Sequence, residues 1–222
     1  MVIPALASSC RSCLDRTLDL TLHQMQMSGN CYKVRLAAHQ LGIALTLLDY
    51  PLHGGETHTP EFPAKNPNGR VPLLEFAGGR FLAESGAILF HLSEDTPLQP
   101  TDAFARAQML QWMFFEQYSH EPYIAVARFW LAHAPRELLE AKKHLVPEWH
   151  AKGNAALAVM ETHLRSHDWF APPHYSIADI ALYGYTHSAK EGGFDLSQFP
   201  AVGDWLARVQ ATPGFVPLSF RS

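Results

Sequence analysis

The sequence predicts an α+β domain followed by an all-helical domain, and three observations support this division. Residues 18–92 contain short apolar runs and helical patterns in the order strand, helix, strand, short helix, hairpin and helix. A polar, proline-rich link follows at residues 95–100. Beyond it, apolar residues recur at helical spacing without the alternation typical of a strand. We therefore place the first domain at residues 17–94, the second at 101–218, and a flexible extension at 1–16.

The predicted first domain opens with a βαβ unit. Residues 18–22 alternate between apolar and polar side chains, as a half-buried strand does. A helical pattern runs from Asn30 to Gly42, where glycine is a typical helix stop. The apolar run at 44–48 predicts a buried strand. Two strands joined through one helix are expected to lie parallel in the sheet.

A short helix, a hairpin and a further helix complete this domain. The short helix is expected to begin near residues 59–62. Residues 71–76 and 80–82 predict two strands joined by a two-glycine turn, and the last helix is predicted at 86–92.

Helical periodicity dominates the predicted second domain. We predict helices at 104–118, 123–133, 154–164, 177–185 and 199–209. Ser176 and Asp179 have the spacing of a capping box, so they mark the start of a buried helix. The last helix is expected to stop near Pro213 and Gly214.

The composition excludes several classes of protein. The chain has 222 residues, of which 47% are hydrophobic and 17% charged, with a formal net charge of -4. This balance argues against a nucleic-acid partner and against a basic membrane-binding patch, and no apolar run reaches the ~18 residues that span a bilayer. The first basic residue is Arg11, which disfavours a secretory leader as the alternative to a flexible extension. Three cysteines suit a reducing compartment, hence the cytoplasm.

Four stretches together resemble the cytosolic glutathione transferase superfamily. They are residues 28–34 (SGNCYKV), 66–72 (NPNGRVP), 84–88 (ESGAI) and 175–179 (YSIAD). The Ser-x-Asn of the first stretch is most similar to the bacterial nu-type members. The resemblance implies an α+β thioredoxin-like N-terminal domain plus an all-α C-terminal domain, assembled as a homodimer. It also implies glutathione as the co-substrate, with no metal.

Two motifs fit the binding of glutathione. A proline at a strand start removes a ladder hydrogen bond, and the resemblance implies that Pro72 is cis, so that the Val71 backbone pairs with the cysteine of glutathione. The alternative is a trans-proline that opens an edge strand. Glu84 and Ser85 lie at a helix N-terminus, which attracts a carboxylate, and Glu84 accepts from an ammonium group. The alternative is that this pair only caps the helix.

The turn before the first helix is the candidate catalytic site. Helix N–H groups stabilise a thiolate placed there, and Ser28 and Asn30 each supply a hydrogen-bond donor. We predict both as catalytic residues, although each also suits a helix cap, and the nucleophile would be the sulfur of glutathione. Ser28 occupies the position of the first cysteine in a glutaredoxin-like Cys-x-x-Cys, so Cys31 is expected to be a small buried residue.

Five further residues are assigned by analogy with the family. His53 and Arg70 are expected to reach the glycine carboxylate of glutathione. Tyr118, Tyr123 and Arg128 are candidates for a second-substrate site, with core or interface packing as the alternative.

Two sequence patterns suggest metal binding only superficially. Cys10-x-x-Cys13 lies in the predicted extension and has no second cysteine pair to complete a zinc site. His163 and His167 share one helix face, but the pair lacks the glutamate of a metalloprotease helix. We predict no metal.

The resemblance thus implies an enzyme that binds glutathione and directs its thiolate at small disulfides, peroxides or electrophilic carbon, with disulfide reduction favoured. One alternative is a glutathione-dependent isomerase or dehalogenase, which the aromatic-rich second domain disfavours. The other is a non-catalytic glutathione-binding module, which the presence of Ser28, Glu84 and Ser85 disfavours.

Overall fold

A four-stranded mixed sheet forms the centre of the first half of the chain. The computed structural model describes residues 19–52, 55, 57 and 59–221. The strands are β1 (Thr21–Gln24), β2 (Thr46–Asp49), β3 (Leu73–Phe76) and β4 (Arg80–Ala83), in the order β2-β1-β3-β4. β1 is parallel to β2 and antiparallel to β3, which pairs with β4 as a hairpin. The predicted parallel βαβ unit and the hairpin are therefore both present.

The described residues of this half form three α-helices: α1 (Gly29–Gln40), α2 (Glu61–Lys65) and α3 (Ser85–Leu92). Ser28 caps the N-terminus of α1, and Gly42 follows its last turn with a left-handed φ of 67°. Buried side chains of α1 and α3 pack with those of β1 and β3 in one apolar cluster. This packing brings the N-termini of α1 and α3 to the same end of the sheet, which is the arrangement the site requires.

The second half is helical, and its described residues beyond 100 form no strand. The helices are α4 (Ala103–Phe115), α5 (Glu121–Arg128), α6 (Arg136–Lys142), α7 (Val146–Leu164), α8 (Ile177–Thr186) and α9 (Pro200–Gln210). Two π-helical turns, Glu116–His120 and Phe129–His133, continue α4 and α5. None of the described helices is long and apolar enough to cross a membrane.

Helix α8 is buried along its whole length and begins with the predicted capping box. The Asp179 carboxylate accepts hydrogen bonds from the Ser176 backbone, and the Ser176 hydroxyl caps the first turn of the helix. The same carboxylate accepts from the Trp205 indole of α9 at 3.0 Å. One acidic side chain therefore joins two helices of the second half.

Two glycines let α8 approach α1 closely. A Cβ atom on Gly29 would lie 2.5 Å from the Gly184 carbonyl oxygen and 2.6 Å from the ring of Tyr185. A Cβ atom on Gly184 would lie 2.6 Å from the side chain of Lys33. Because no such contact is sterically allowed, only glycine fits at this crossing. The helical half thereby lies directly behind the turn that holds Ser28 and Asn30.

The predicted fold class is confirmed, and several elements differ from the prediction in their limits or burial. β1 covers Thr21–Gln24 rather than 18–22, and β2 covers Thr46–Asp49 rather than 44–48. β2 is also an edge strand with Leu48 45% exposed, so the prediction of a buried strand was wrong. α7 begins at Val146 instead of 154, and α6 was not predicted because it buries no apolar face.

The domain limits 17–94 and 101–218 stay predictions. The extension at 1–16, with Cys10 and Cys13, lies outside the described residues.

Candidate active site

A small polar cleft lies where the N-termini of α1 and α3 meet the start of β3. Its volume is about 80 Å³. It brings together six of the predicted site residues: Asn30, Arg70, Val71, Pro72, Glu84 and Ser85. Asn66, Asn68, Gln117 and Glu121 complete the wall, the last two contributed by the helical half.

The loop before β3 is held by its own side chains. The Asn66 amide donates to the Arg70 carbonyl oxygen at 2.7 Å, and its oxygen accepts from the Asn68 backbone at 3.1 Å. The Val71–Pro72 peptide bond is cis, as predicted. The loop therefore presents Val71 and Pro72 to the cleft from a fixed position.

Glu84 adopts an unusual backbone conformation at the start of α3. Its φ of 70° is in the left-handed region, which costs a non-glycine residue on the order of 1–3 kcal/mol. The Glu84 carboxylate lies 3.5 Å from the Asn68 amide. Ser85 is buried, and its hydroxyl donates to the Asn30 side chain at 3.3 Å. Strained residues concentrate at ligand-binding sites, which agrees with the role predicted for Glu84.

Ser28 and Asn30 face different cavities. Ser28 Oγ accepts from the Cys31 backbone N–H at 3.3 Å and lines a second cavity of about 150 Å³. Tyr185 and Arg128 also line that second cavity, which Asn30 does not reach. Asn30 alone of the predicted catalytic pair lies in the cleft with Ser85.

The amide of Asn30 has a defined orientation. Its Oδ1 accepts from Lys33 Nζ at 2.7 Å and from Ser85 Oγ at 3.3 Å. Its Nδ2 donates to Glu121 Oε1 at 3.3 Å. Since a lysine ammonium only donates, the oxygen must face Lys33, and the NH₂ group is directed to the cleft wall formed by Glu121.

Lys33 is a fully buried cation that lies behind Asn30. Its Nζ lies 2.8 Å from Glu116 Oε1, in an ion pair with both side chains almost completely buried. Burial raises the pKa of the Glu116 carboxyl, and the Lys33 charge opposes that rise. Burial, followed by repulsion from Lys33, lowers the pKa of the adjacent His120 to about 3, so this histidine is neutral. Its Nε2 bonds to Thr186 Oγ1 at 2.9 Å.

Sequence reasoning missed Lys33, Glu116 and Glu121. Lys33 lies one helical turn after Asn30, so the i, i+3 spacing could have suggested the contact. Glu116 and Glu121 lie more than 80 positions away in the chain, and only the packing of the two halves reveals them.

Cys31 is fully buried, as expected for a small core residue. Its sulfur accepts from the Met25 backbone N–H at 3.4 Å. Burial raises the pKa of the Cys31 thiol, and this exceeds the lowering effect of its bond with Ser28. The protein's own cysteine at this turn is therefore protonated and shielded, in contrast to a reactive glutaredoxin thiol.

The candidate second-substrate residues do not come together. Arg128 is buried, and it donates to Glu191 Oε2 at 2.8 Å and to the Met27 carbonyl oxygen at 2.9 Å. Tyr118 and Tyr123 line a separate surface depression, where Tyr118 is 85% exposed. His53 lies outside the described residues.

The described residues contain no group of three or more His, Cys, Asp or Glu side chains able to hold a metal ion. His163 and His167 stack their rings 4.2 Å apart. The His163 Nε2 bonds to the Trp169 carbonyl oxygen at 3.1 Å, so this pair is explained by local packing.

Comparison with known proteins identifies relatives over nearly the whole chain. The family models described as glutathione S-transferase, N-terminal domain, and glutathione S-transferase, C-terminal domain, match residues 22–100 and 110–213. The crystal structure of a possible glutathione S-transferase from Rhodopseudomonas palustris is 50% identical, covers 91% of both chains and superposes with a TM-score of 0.88. Ure2p in complex with glutathione is 25% identical, with a TM-score of 0.78 over 89% of this chain and 96% of that one. The disulfide-bond oxidoreductase YfcG of Escherichia coli K12 is 27% identical over 83% of this chain and 87% of its own.

Proposed function

Because the chain belongs to the glutathione S-transferase family, we propose that it binds glutathione in the Asn30–Ser85 cleft and activates its thiol. The bound thiolate then attacks a small disulfide, a peroxide or an electrophilic carbon. The observation that carries the proposal is that one cleft contains Asn30, the Val71–Pro72 backbone, and Glu84 with Ser85 at a helix N-terminus.

The cleft supplies a partner for each part of glutathione. The N-terminus of α3 binds the γ-glutamyl carboxylate, to which the Ser85 hydroxyl donates in place of its bond to Asn30 Oδ1, and Glu84 binds the ammonium group. The Val71 backbone pairs with the central cysteine. Arg70, together with His53, is assigned to the glycine carboxylate. This arrangement places the thiol near the N-terminus of α1.

Asn30 is the group we assign to the sulfur. Its Nδ2 is directed to the cleft, whereas Ser28 faces the second cavity and accepts the Cys31 N–H. A hydrogen bond to the charged form of a thiol, together with the helix N-terminus, lowers the thiol pKa. Ser28 caps α1. We also assign Ser28 a contact with the sulfur of glutathione from the side of the second cavity.

Disulfide reduction is the reaction that we favour. The thiolate of bound glutathione attacks one sulfur of the disulfide, the S–S bond breaks, and the departing thiolate takes a proton from water. The thiolate of a second glutathione then attacks the glutathione sulfur of the mixed disulfide, the S–S bond breaks, and the other half of the substrate leaves as a thiolate that takes a proton, so oxidised glutathione is formed. The similarity to a disulfide-bond oxidoreductase supports this choice. The Ser-x-Asn turn also supports it, because this turn resembles that of nu-type members, for which disulfide reduction is the expected activity. On the basis of family membership, we also propose that the protein acts as a homodimer in the cytoplasm.

Glutathione-dependent reduction of 2-hydroxyethyl disulfide tests the proposal. We expect turnover by the wild-type protein, a large loss in Asn30→Ala and a smaller loss in Ser28→Ala. Ser166→Ala, which changes an exposed hydroxyl remote from the cleft, serves as the matched control. Glutathione binding without turnover would favour conjugation, isomerisation or a binding module, and neither binding nor turnover would refute the proposal.

A further inference from the structure

Lys33 is a buried cation that lies behind the cleft and bonds to Asn30. We propose that Lys33 is a positioning residue, which fixes the Asn30 amide so that its NH₂ group faces the sulfur of glutathione. This inference rests on the proposed function. It concerns a residue that does not itself line the cleft and that acts through its hydrogen bond with Asn30.

An asparagine amide has two orientations of nearly equal shape and opposite polarity. In one orientation the cleft meets two N–H donors, which stabilise a thiolate. In the other it meets a carbonyl oxygen, which repels a thiolate. The sequence position of Asn30 alone does not choose between them, so the choice must come from the side chain's fixed neighbours.

Lys33 makes this choice unambiguous. Its Nζ lies 2.7 Å from Asn30 Oδ1, and a buried ammonium cannot accept a hydrogen bond. A flipped amide would place NH₂ against NH₃⁺ in a site without water access, because Lys33 is 0% exposed. On the cleft side, the flip would also bring Oδ1 against the Glu121 carboxylate, 3.3 Å from the present Nδ2.

The location of the charge is fixed by the helical half. Glu116 pairs with Lys33 at 2.8 Å, and the ammonium lies 5.4 Å from the centre of the Tyr185 ring. The aliphatic stem of Lys33 passes over Gly184, where a Cβ atom would lie 2.6 Å from it. These contacts hold the Lys33 ammonium beside Asn30.

Several titratable groups line the cleft or lie behind it, and they bear on the titration of a thiol bound there. Glu84, Glu121 and Arg70 line the cleft. Glu116 and the neutral His120 lie next to Lys33. Glu116 compensates the charge of Lys33, whereas the described hydrogen bonds of Asn30 go to Lys33, Ser85 and Glu121, so Glu116 does not itself fix the amide. The two members of the ion pair should consequently differ in their effect on the bound thiol.

The experiment is a pH titration of thiolate absorbance at 240 nm for glutathione bound to the full-length protein. The double variant Lys33→Met/Glu116→Gln removes both charges, so it leaves no uncompensated buried carboxylate. We expect it to raise the pKa of the bound thiol by about one unit or more, the effect of losing one hydrogen bond to a charged group. Glu116→Gln alone keeps the Lys33–Asn30 bond and is expected not to raise that pKa.

Two further variants complete the design. Lys33→Gln/Glu116→Gln restores a donor beside Asn30 without the charge, and we expect a thiol pKa between those of the wild type and the Met/Gln variant. It also keeps the test decisive if the Met/Gln variant does not fold. Lys143→Met removes an exposed lysine with an exposed partner, and it should leave the thiol pKa unchanged.

The outcomes separate the two proposals. If the wild type binds glutathione and lowers its thiol pKa, but both folded double variants titrate like the wild type, the positioning role is overturned while the proposed function stands. An equal rise in Glu116→Gln would also overturn it, since the pair would then act only as structural support. If the wild type binds no glutathione, the proposed function fails, and the role of Lys33 fails with it.

Discussion

Replacement of Asp179 with alanine is expected to lower the free energy of unfolding by about 4 kcal/mol. The carboxylate is fully buried and accepts from the Phe170 and Ser176 backbone N–H groups, the Ser176 hydroxyl and the Trp205 indole, at 3.0–3.2 Å. Each buried donor left without a partner costs on the order of 1–3 kcal/mol. We take the low end because alanine also removes the cost of burying a carboxylate.

The measurement is urea-induced unfolding followed by circular dichroism at pH 8. This pH keeps Asp179 ionised, because burial, opposed by its donors, raises its pKa to about 6. Asp195→Ala is the matched control: Asp195 also caps a helical turn and accepts three hydrogen bonds, but it is exposed. Water replaces its bonds, so little change is expected. A loss below about 1 kcal/mol for Asp179→Ala, or one equal to that of the control, would refute the reasoning.

Three further substitutions test particular contacts. Gly29→Ala should destabilise the protein by roughly 1–3 kcal/mol in thermal unfolding despite its better helix propensity, because the new Cβ would overlap the Tyr185 ring. A stabilised variant would contradict the tight helix crossing. His120→Gln should make stability less sensitive to acid. In the wild type, burial and Lys33 lower the pKa of His120 to about 3, so the unfolded chain takes up a proton at this residue that the folded chain does not. The free energy of unfolding therefore falls by about 1.4 kcal/mol per pH unit as the pH drops from 6.5 towards 3. An unchanged slope of unfolding free energy against pH would contradict this. Glu84→Gly should raise stability by up to ~1 kcal/mol through relief of the positive φ, yet weaken glutathione binding in calorimetry; unweakened binding would remove Glu84 from the site.

Local patterns were sufficient to predict the order of all the strands and of the helices other than α6, but not all their limits. The capping residues Ser28 and Ser176 mark helix starts directly, because a side-chain oxygen must satisfy the first free N–H groups. The exposed position of β2 depends on strand order, which the apolar run at 44–48 does not encode. Helix α6 has no buried face, so no periodicity could reveal it.

The candidate site likewise contains residues that the sequence predicts and residues that only the tertiary structure reveals. Residues carried by contiguous motifs, such as Asn30, Pro72 and Ser85, were predictable and lie in one cleft. The Lys33–Glu116 pair joins the two halves of the chain through tertiary packing, which a single sequence does not specify. The division of Ser28 and Asn30 between two cavities likewise depends on the direction in which each side chain leaves the turn.

Calorimetric titration of glutathione into the wild-type protein and Ser85→Ala tests the central claim most directly. The account predicts that the wild type binds, and that Ser85→Ala binds roughly tenfold or more weakly, since one hydrogen bond to a carboxylate is lost at the N-terminus of α3. The exposed Ser166→Ala should bind like the wild type. Absence of wild-type binding, or full affinity in Ser85→Ala, would contradict the placement of glutathione in this cleft.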